Sequence, residues 1–318
     1  MHHVIRAVEA LVDEVAAIQW TFVLLAALAH LTKTAARSRA WRNIVAASHP
    51  GAPVRWRTVL GAYAAGVGVN ALLPTRSGDL LKLYLVRRNV PGLAYSTLAA
   101  TLFVETLFDL FVSSALLGWA LTLGVLPGLD VLPVLPQVDW LWLFQHPRAA
   151  LAVTIAALVA GFAAGLWASS RIRAFRERVA SGLAILRRPG DYVRQVVTWQ
   201  ALDWGLRLTT IYLLLTAFDV PATIHNALLV QVTQSLSTVL PLTPGGIGTE
   251  QALLAYVFAG IAPAAEILSF SVGMKLMIIA VNVTAGAVAL FLMVRTLRWR
   301  RLVEQAEAEE AEVPASNR

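Results

Sequence analysis

Two stretches decide the fold: residues 67–86, VGVNALLPTRSGDLLKLYLV, and residues 237–257, STVLPLTPGGIGTEQALLAYV. Both are largely apolar, and both are interrupted near the middle by proline and glycine. In each, a Pro and a Gly stand four apart, Pro74 with Gly78 and Pro244 with Gly248, the second pair enclosing Gly245 and Gly246. An acidic residue, Asp79 or Glu250, then opens a new apolar run. Proline cannot continue the incoming helix, glycine lets the backbone reverse tightly, and a carboxylate at a helix start is favoured by the helix dipole. Each stretch therefore reads as two short helices meeting at a break.

The surrounding composition says where such breaks sit. Of 318 residues, 58% are hydrophobic and 14% charged, with a mean hydropathy of +0.66. A soluble domain has roughly 45–50% apolar and about 25% charged residues, so a water-soluble enzyme is excluded. With 0 Cys and 20 Gly that follow no short period, a disulfide scaffold and collagen are excluded as well. What remains is an all-α, polytopic membrane protein. Apolar runs at residues 15–32, 93–125, 149–169, 196–218 and 265–294 predict full spans, since a bilayer core of about 30 Å needs roughly 20 residues of helix. The broken stretches lie within residues 57–90 and 222–261. Residues 1–301 form a single transmembrane domain with halves at about 15–125 and 149–295, and residues 302–318 form a short acidic tail expected to be frayed.

A net charge of +7 would suit a nucleic-acid binder, but the positive charges cluster between spans, as cytoplasmic loops do. Lys33, Arg37, Arg39, Arg42, Arg55 and Arg57 follow the first span, Arg87 and Arg88 the first broken stretch, and Arg295, Arg298, Arg300 and Arg301 the last span. All are expected in the cytoplasm. Glu9, Asp13 and Glu14 place the N-terminus outside, and Asp130 and Asp139 mark an external loop. Nucleic acid is not an expected partner. The first broken stretch then has cytoplasmic charge on both sides and the second has external loops on both sides. That parity predicts two re-entrant hairpins of opposite orientation, one in each of two inverted repeats. Two ordinary spans joined by a loop would keep the same parity, although each arm has only roughly 12–18 apolar residues against the roughly 20 of a full span. Trp41, Trp56 and Trp119 fall near predicted boundaries and read as interfacial anchors.

Irregular backbone survives at bilayer depth where protein buries it or a polar cavity solvates it. Charged groups at that depth are costly and therefore candidate functional residues. They are Arg76, Asp79, Lys82 and Glu250 in the hairpins, Glu105 and Asp109 in the second full span, Asp203 and Arg207 in the fourth, and Lys275 in the last. Glu105 and Asp109 share a helix face and repel unless a cation or proton intervenes, for which Lys275, Arg76 and Lys82 are the candidates. Asp203 and Arg207 can pair locally at i,i+4. Asn70 stands one turn before Pro74, and Asn282 inside the last span calls for an interhelical hydrogen bond.

The segments NALLPTRSGDLLKLYLVRR, TLFVETLFDL and PLTPGGIGTEQALLAY resemble the signature regions of flippase-like membrane proteins related to the transmembrane domain of lysylphosphatidylglycerol synthases. The resemblance implies a protein that moves or binds a lipid with a charged head group, with Asp79 and Glu250 lining the head-group cavity. Only about twenty residues follow the last span, so the aminoacyl-transferase domain of bifunctional members is not expected. The reading is translocation of an anionic or zwitterionic phospholipid, or a lipid-linked intermediate, across the cytoplasmic membrane. Arg76, Lys82 and Lys275 are expected to contact phosphate. Asp79, Glu105, Asp109 and Glu250 are expected to balance charge or couple to protons, with Asn70, Arg207 and the turn residues completing the site. A membrane-embedded lipid-modifying transferase using Asp79, Glu105 or Glu250 as a base is the alternative. No nucleotide-binding fingerprint, nucleophile elbow or paired metal-ligand histidines occur in the sequence, so neither cofactor nor metal is expected.

Overall fold

A computed structural model describes residues 18–73, 77–123, 173–239 and 248–312, and the described residues are helical with no strands. The helices are α1 (Trp20–Ser48), α2 (Trp56–Leu72), α3 (Ser77–Asn89), α4 (Tyr95–Thr122), α5 (Arg173–Gly182), α6 (Thr198–Ala217), α7 (Ile224–Val239), α8 (Thr249–Val257) and α9 (Ala264–Glu312). Short turns at Ala184–Arg187 and Pro189–Tyr192 and a π turn at Val193–Val197 lead into α6. The expected span at residues 149–169 and the loop before it lie outside the described residues, as do Pro74, Arg76, Pro244, Gly245 and Gly246.

The breaks fall where the backbone chemistry requires. α2 ends at Leu72, and Leu73 is extended (φ −114°, ψ 128°), the conformation imposed on a residue preceding proline. α3 carries Asp79 in its first turn and Arg87 and Arg88 in its last, both complementary to its dipole. The first turn of α8 likewise carries Glu250, behind Gly248 at φ +90°, where a side chain would be strained. At 1.5 Å per residue, α3 with 13 residues is about 20 Å long and α8 with 9 is about 14 Å. Neither reaches across a hydrocarbon core of about 30 Å. α4, and α9 from Ala264 to Val294, are long and apolar enough to cross it.

α1 and α6 pack antiparallel: Gln19 at the start of α1 bonds Asp219 beyond the end of α6 (2.8 Å), and Asn43 near the other end bonds the Gln195 carbonyl (2.7 Å). Around this pair sit two apolar cores. One gathers Trp41, Val59, Ala62, Leu83, Val86 and Leu98 from α1–α4, and the other Leu214, Leu254, Phe258, Phe270 and Met274 from α6–α9. α2 crosses to pack on α9, where Gly68 meets Gly286 so closely that a Cβ on Gly68 would stand 2.8 Å from the Gly286 Cα. α4 correspondingly packs on α7. Outward faces are apolar: Leu24, Leu28, Phe111, Leu276 and Phe291 are exposed, an arrangement suited to lipid.

Three sequence expectations change here. Trp41 is no interfacial anchor: it is fully buried and donates to Thr101 Oγ1 (3.1 Å). The expected frayed tail from Leu302 is helix as far as Glu312, since its Ala, Glu and Gln are strong helix formers. Finally, α1 does not stop at the bilayer edge. It continues through the basic segment to Ser48, which carries Lys33 and Arg37 into the protein interior instead of a loop.

Candidate functional site

Between the two cores lies a cavity of about 420 Å³ whose wall holds four cations, Lys33, Arg37, Lys82 and Arg207, and three carboxylates, Asp79, Glu105 and Asp109. α1 and α6 supply one side, α2 to α4 another, while Gln234, Met274 and Asn282 close it from α7 and α9.

Arg37 organises the charges. Its Nε donates to Glu105 Oε1 (2.9 Å) and to the Tyr63 hydroxyl oxygen (2.7 Å), and its Nη1 to Asp109 Oδ1 (3.1 Å) and Asp203 Oδ2 (3.3 Å). Its Nη2 donates to Asp109 Oδ2, so that carboxylate is held by both arms of the fork. One guanidinium thus ties α1 to α2, α4 and α6. Further donors complete the pairing: Tyr63 Oη to Glu105 Oε1 (2.9 Å), Trp204 Nε1 to Asp109 Oδ1 (2.9 Å) and Gln200 Nε2 to the Glu105 carbonyl (2.7 Å). Outside the spans, burial first and then the Asp109 carboxylate push the Tyr192 phenol above its ordinary pKa.

Lys82 lies 3.3 Å from Asp79 and 3.8 Å from Glu105, with its ammonium over the rings of Tyr63 (4.5 Å) and Trp41 (5.3 Å). Arg207 pairs with Asp203 at 3.3 Å as its spacing suggests, and stacks over Trp204. Asn282 Oδ1 meets His30 Nε2 at 2.9 Å, an interhelical hydrogen bond.

Of the residues singled out from sequence, Asp79, Lys82, Glu105, Asp109 and Arg207 come together on the cavity wall. The cation that separates Glu105 from Asp109 is Arg37, with Lys82 a more distant partner of Glu105; it is not Lys275. Lys275 instead binds Glu250 at 2.8 Å, and Gln234, which lines the cavity, also donates to Glu250 (3.1 Å). Neither Glu250 nor Lys275 is part of the cavity wall. Asn70 accepts the Gly78 N–H (2.8 Å) and donates to Asp79 (3.5 Å), which makes it the fastening of the α2–α3 turn. The Gly248 N–H is taken by Gln251 Oε1 (2.7 Å). Sequence reasoning missed Lys33 and Arg37 as cavity residues. The signal was present in the helical spacing of His30, Lys33, Arg37, Trp41 and Ile44, which marks one inward face running through the basic segment.

A helical protein with apolar outer faces and charged groups gathered between its helices has the makeup of an integral membrane protein. The match to the lysylphosphatidylglycerol synthase TM region, over residues 4–286, makes the assignment particular: the chain belongs to that family. It is also similar to a UPF0104 membrane protein of Methanocaldococcus jannaschii, 22% identical over 194 residues that cover 59% of this chain and 78% of that protein. No solved structure matches it.

Proposed function

We propose that the chain is a multi-pass protein of the cytoplasmic membrane that translocates an anionic or zwitterionic phospholipid or lipid-linked intermediate, its head group passing through the charged cavity that α1 and α6 wall on one side. The supporting observation is that cavity: charged groups of both signs line a space enclosed by helices whose outer faces are apolar. Acyl chains would remain in lipid while the head group exchanges bilayer for protein partners. The arrangement of helices favours two inverted repeats, α1–α4 and α6–α9, each a long helix, two short arms and a long helix. Their exchanged packing, α2 on α9 and α4 on α7, and the shortness of α3 and α8 support hairpins that enter and return from opposite faces. In this reading the N-terminus is external and the C-terminus cytoplasmic. The protein is then a transporter, not an enzyme.

Vesicles containing the purified chain and a fluorescent phosphatidylglycerol or phosphatidylethanolamine test this with a quencher confined to the outer leaflet. Quenching beyond the outer-leaflet fraction is expected with the wild type and loss of it with Arg37→Gln. Equal quenching with and without the protein overturns translocation. A mass change of the lipid in the same vesicles points to the transferase instead.

A further inference from the structure

The basic residues of the molecule's interior are not equivalent. Arg37 is saturated by carboxylates, Lys82 is held between Asp79 and Glu105 under two rings, and Lys275 is committed to Glu250. They serve as counter-ions. Lys33 and Arg207 differ. Among the described residues Lys33 makes no hydrogen bond and no ion pair. Arg207 has a single carboxylate oxygen, Asp203 Oδ2, which it shares with Arg37, and its Nε is buried with no hydrogen-bond partner among the described residues. Both residues line the cavity, Lys33 from α1 and Arg207 from α6. Their wall therefore carries more positive than negative charge, although the cavity as a whole is nearly balanced. An ammonium without a carboxylate in contact and a desolvated N–H without an acceptor are both costly at bilayer depth. One anion placed between them would satisfy both.

We propose that Lys33 and Arg207 form the anion-binding site of the cavity and hold one phosphate or phosphodiester group between the ammonium and the free guanidinium N–H. This rests on the reading that a lipid head group enters the cavity, and it moves the phosphate contact away from Lys82 and Lys275. Arg207 has five N–H donors, and its single shared carboxylate oxygen engages Nη2 and leaves the buried Nε without an acceptor. Lys33 adds a mobile point charge with three donors, suited to a group that must be released again.

The test uses the purified full chain in detergent and three probes: dihexanoyl phosphatidic acid, dihexanoylglycerol with the same chains but no phosphate, and inorganic phosphate. Wild type is expected to bind the phosphatidic acid and not the diacylglycerol, with an affinity that falls as salt rises. Lys33→Gln and Arg207→Gln should each weaken binding by about tenfold or more, and Lys33→Arg should restore most of it. Arg194→Gln, which removes an exposed cation that does not line the cavity, should bind as wild type does. Thermal unfolding separates a binding loss from misfolding, and because Lys33 has no partner to leave behind, Lys33→Met is expected to unfold as wild type does. If the folded variants bind phosphatidic acid as tightly as wild type, the assignment to Lys33 and Arg207 is overturned while the lipid reading stands. If inorganic phosphate binds as tightly as the lipid and is lost in the same variants, the anion site stands and the lipid reading fails. If wild type binds no phosphate-bearing probe, both are overturned.

Discussion

The two broken stretches follow one plan and put their carboxylates to different uses. Asp79 opens α3, reaches Lys82 a turn later and lines the cavity, where Lys82 passes the connection on to Glu105 and Arg37. Glu250 opens α8, is buried against Lys275 and Gln234, and stays behind the cavity wall. An acidic residue at a helix start after a Gly turn is thus a local device shared by both halves. What it does differs with the cation it meets: Asp79 pairs with Lys82 on its own helix and through it joins a network in which one arginine from α1 serves three other carboxylates, whereas Glu250 pairs with one lysine from α9. The first half is a network and the second a pair, and substitutions should separate them.

The largest effect is expected at the network's centre. Arg37→Gln leaves Glu105, Asp109 and Asp203 close together and short of a partner, and removal of one member of a buried ionic cluster typically costs about 3–5 kcal/mol. Thermal unfolding in detergent should fall accordingly and transport should be lost. Arg37→Lys should not rescue it, since an ammonium cannot reproduce the fork that holds Asp109 while reaching Glu105 and Asp203. Rescue by lysine would reduce the network to a point charge.

Next comes the crossing of the first hairpin. A Cβ on Gly78 would stand 1.9 Å from the Gly66 carbonyl oxygen and 2.7 Å from Asn70 Oδ1. Backbone cannot yield as a side chain can, so Gly78→Ala should cost about 3 kcal/mol and displace Asp79 and Lys82 from the cavity. A melting temperature close to wild type would mean that the α2–α3 approach is looser than the geometry requires.

How far the sequence carries depends on the distance over which each interaction acts. Asp203 with Arg207 and Asp79 with Lys82 are neighbours on their own helices, and spacing finds them. The ends of α2 and α3 are similarly legible, because Pro74 and the Gly turn act on the adjacent backbone. That Glu105 and Asp109 need a cation is legible as well; that it is Arg37 is not, because its reach of 68 residues along the chain exists only after α1 packs on α4. Arg37 was hidden by its neighbours. Arg39 and Arg42 make the segment read as a cytoplasmic loop, and the helix that continues through it lets one face enter the protein while another stays outside. Trp41 was misplaced for the same reason, a boundary position in sequence that is an inward position on the helix.

The pair in the second half should respond more simply. Lys275→Gln removes the closest partner of a buried carboxylate but leaves the Gln234 amide, so a loss of about 2 kcal/mol is expected. Glu250→Gln combined with Lys275→Gln should recover most of that loss, because the double change strands no charge. A double-mutant cycle on unfolding measures this coupling. An additive cycle would show that Glu250 is tied to a wider network, as its counterpart in the first half is.

The smallest effect is expected at Gly248, the positional partner of Gly78. Its φ of +90° lies in the left-handed region, yet among the described residues nothing stands within 4 Å of where a Cβ would point. Gly248→Ala therefore meets backbone strain without a clash, a cost of about 1 kcal/mol. The Gln251 side chain still accepts the amide proton at this position and holds the start of α8 in place, so transport should be little changed. The two alanine substitutions together then measure one difference between the two glycines: Gly78 is pressed against the Gly66 backbone, whereas Gly248 is set apart by its positive φ. Equal losses of melting temperature would remove that distinction.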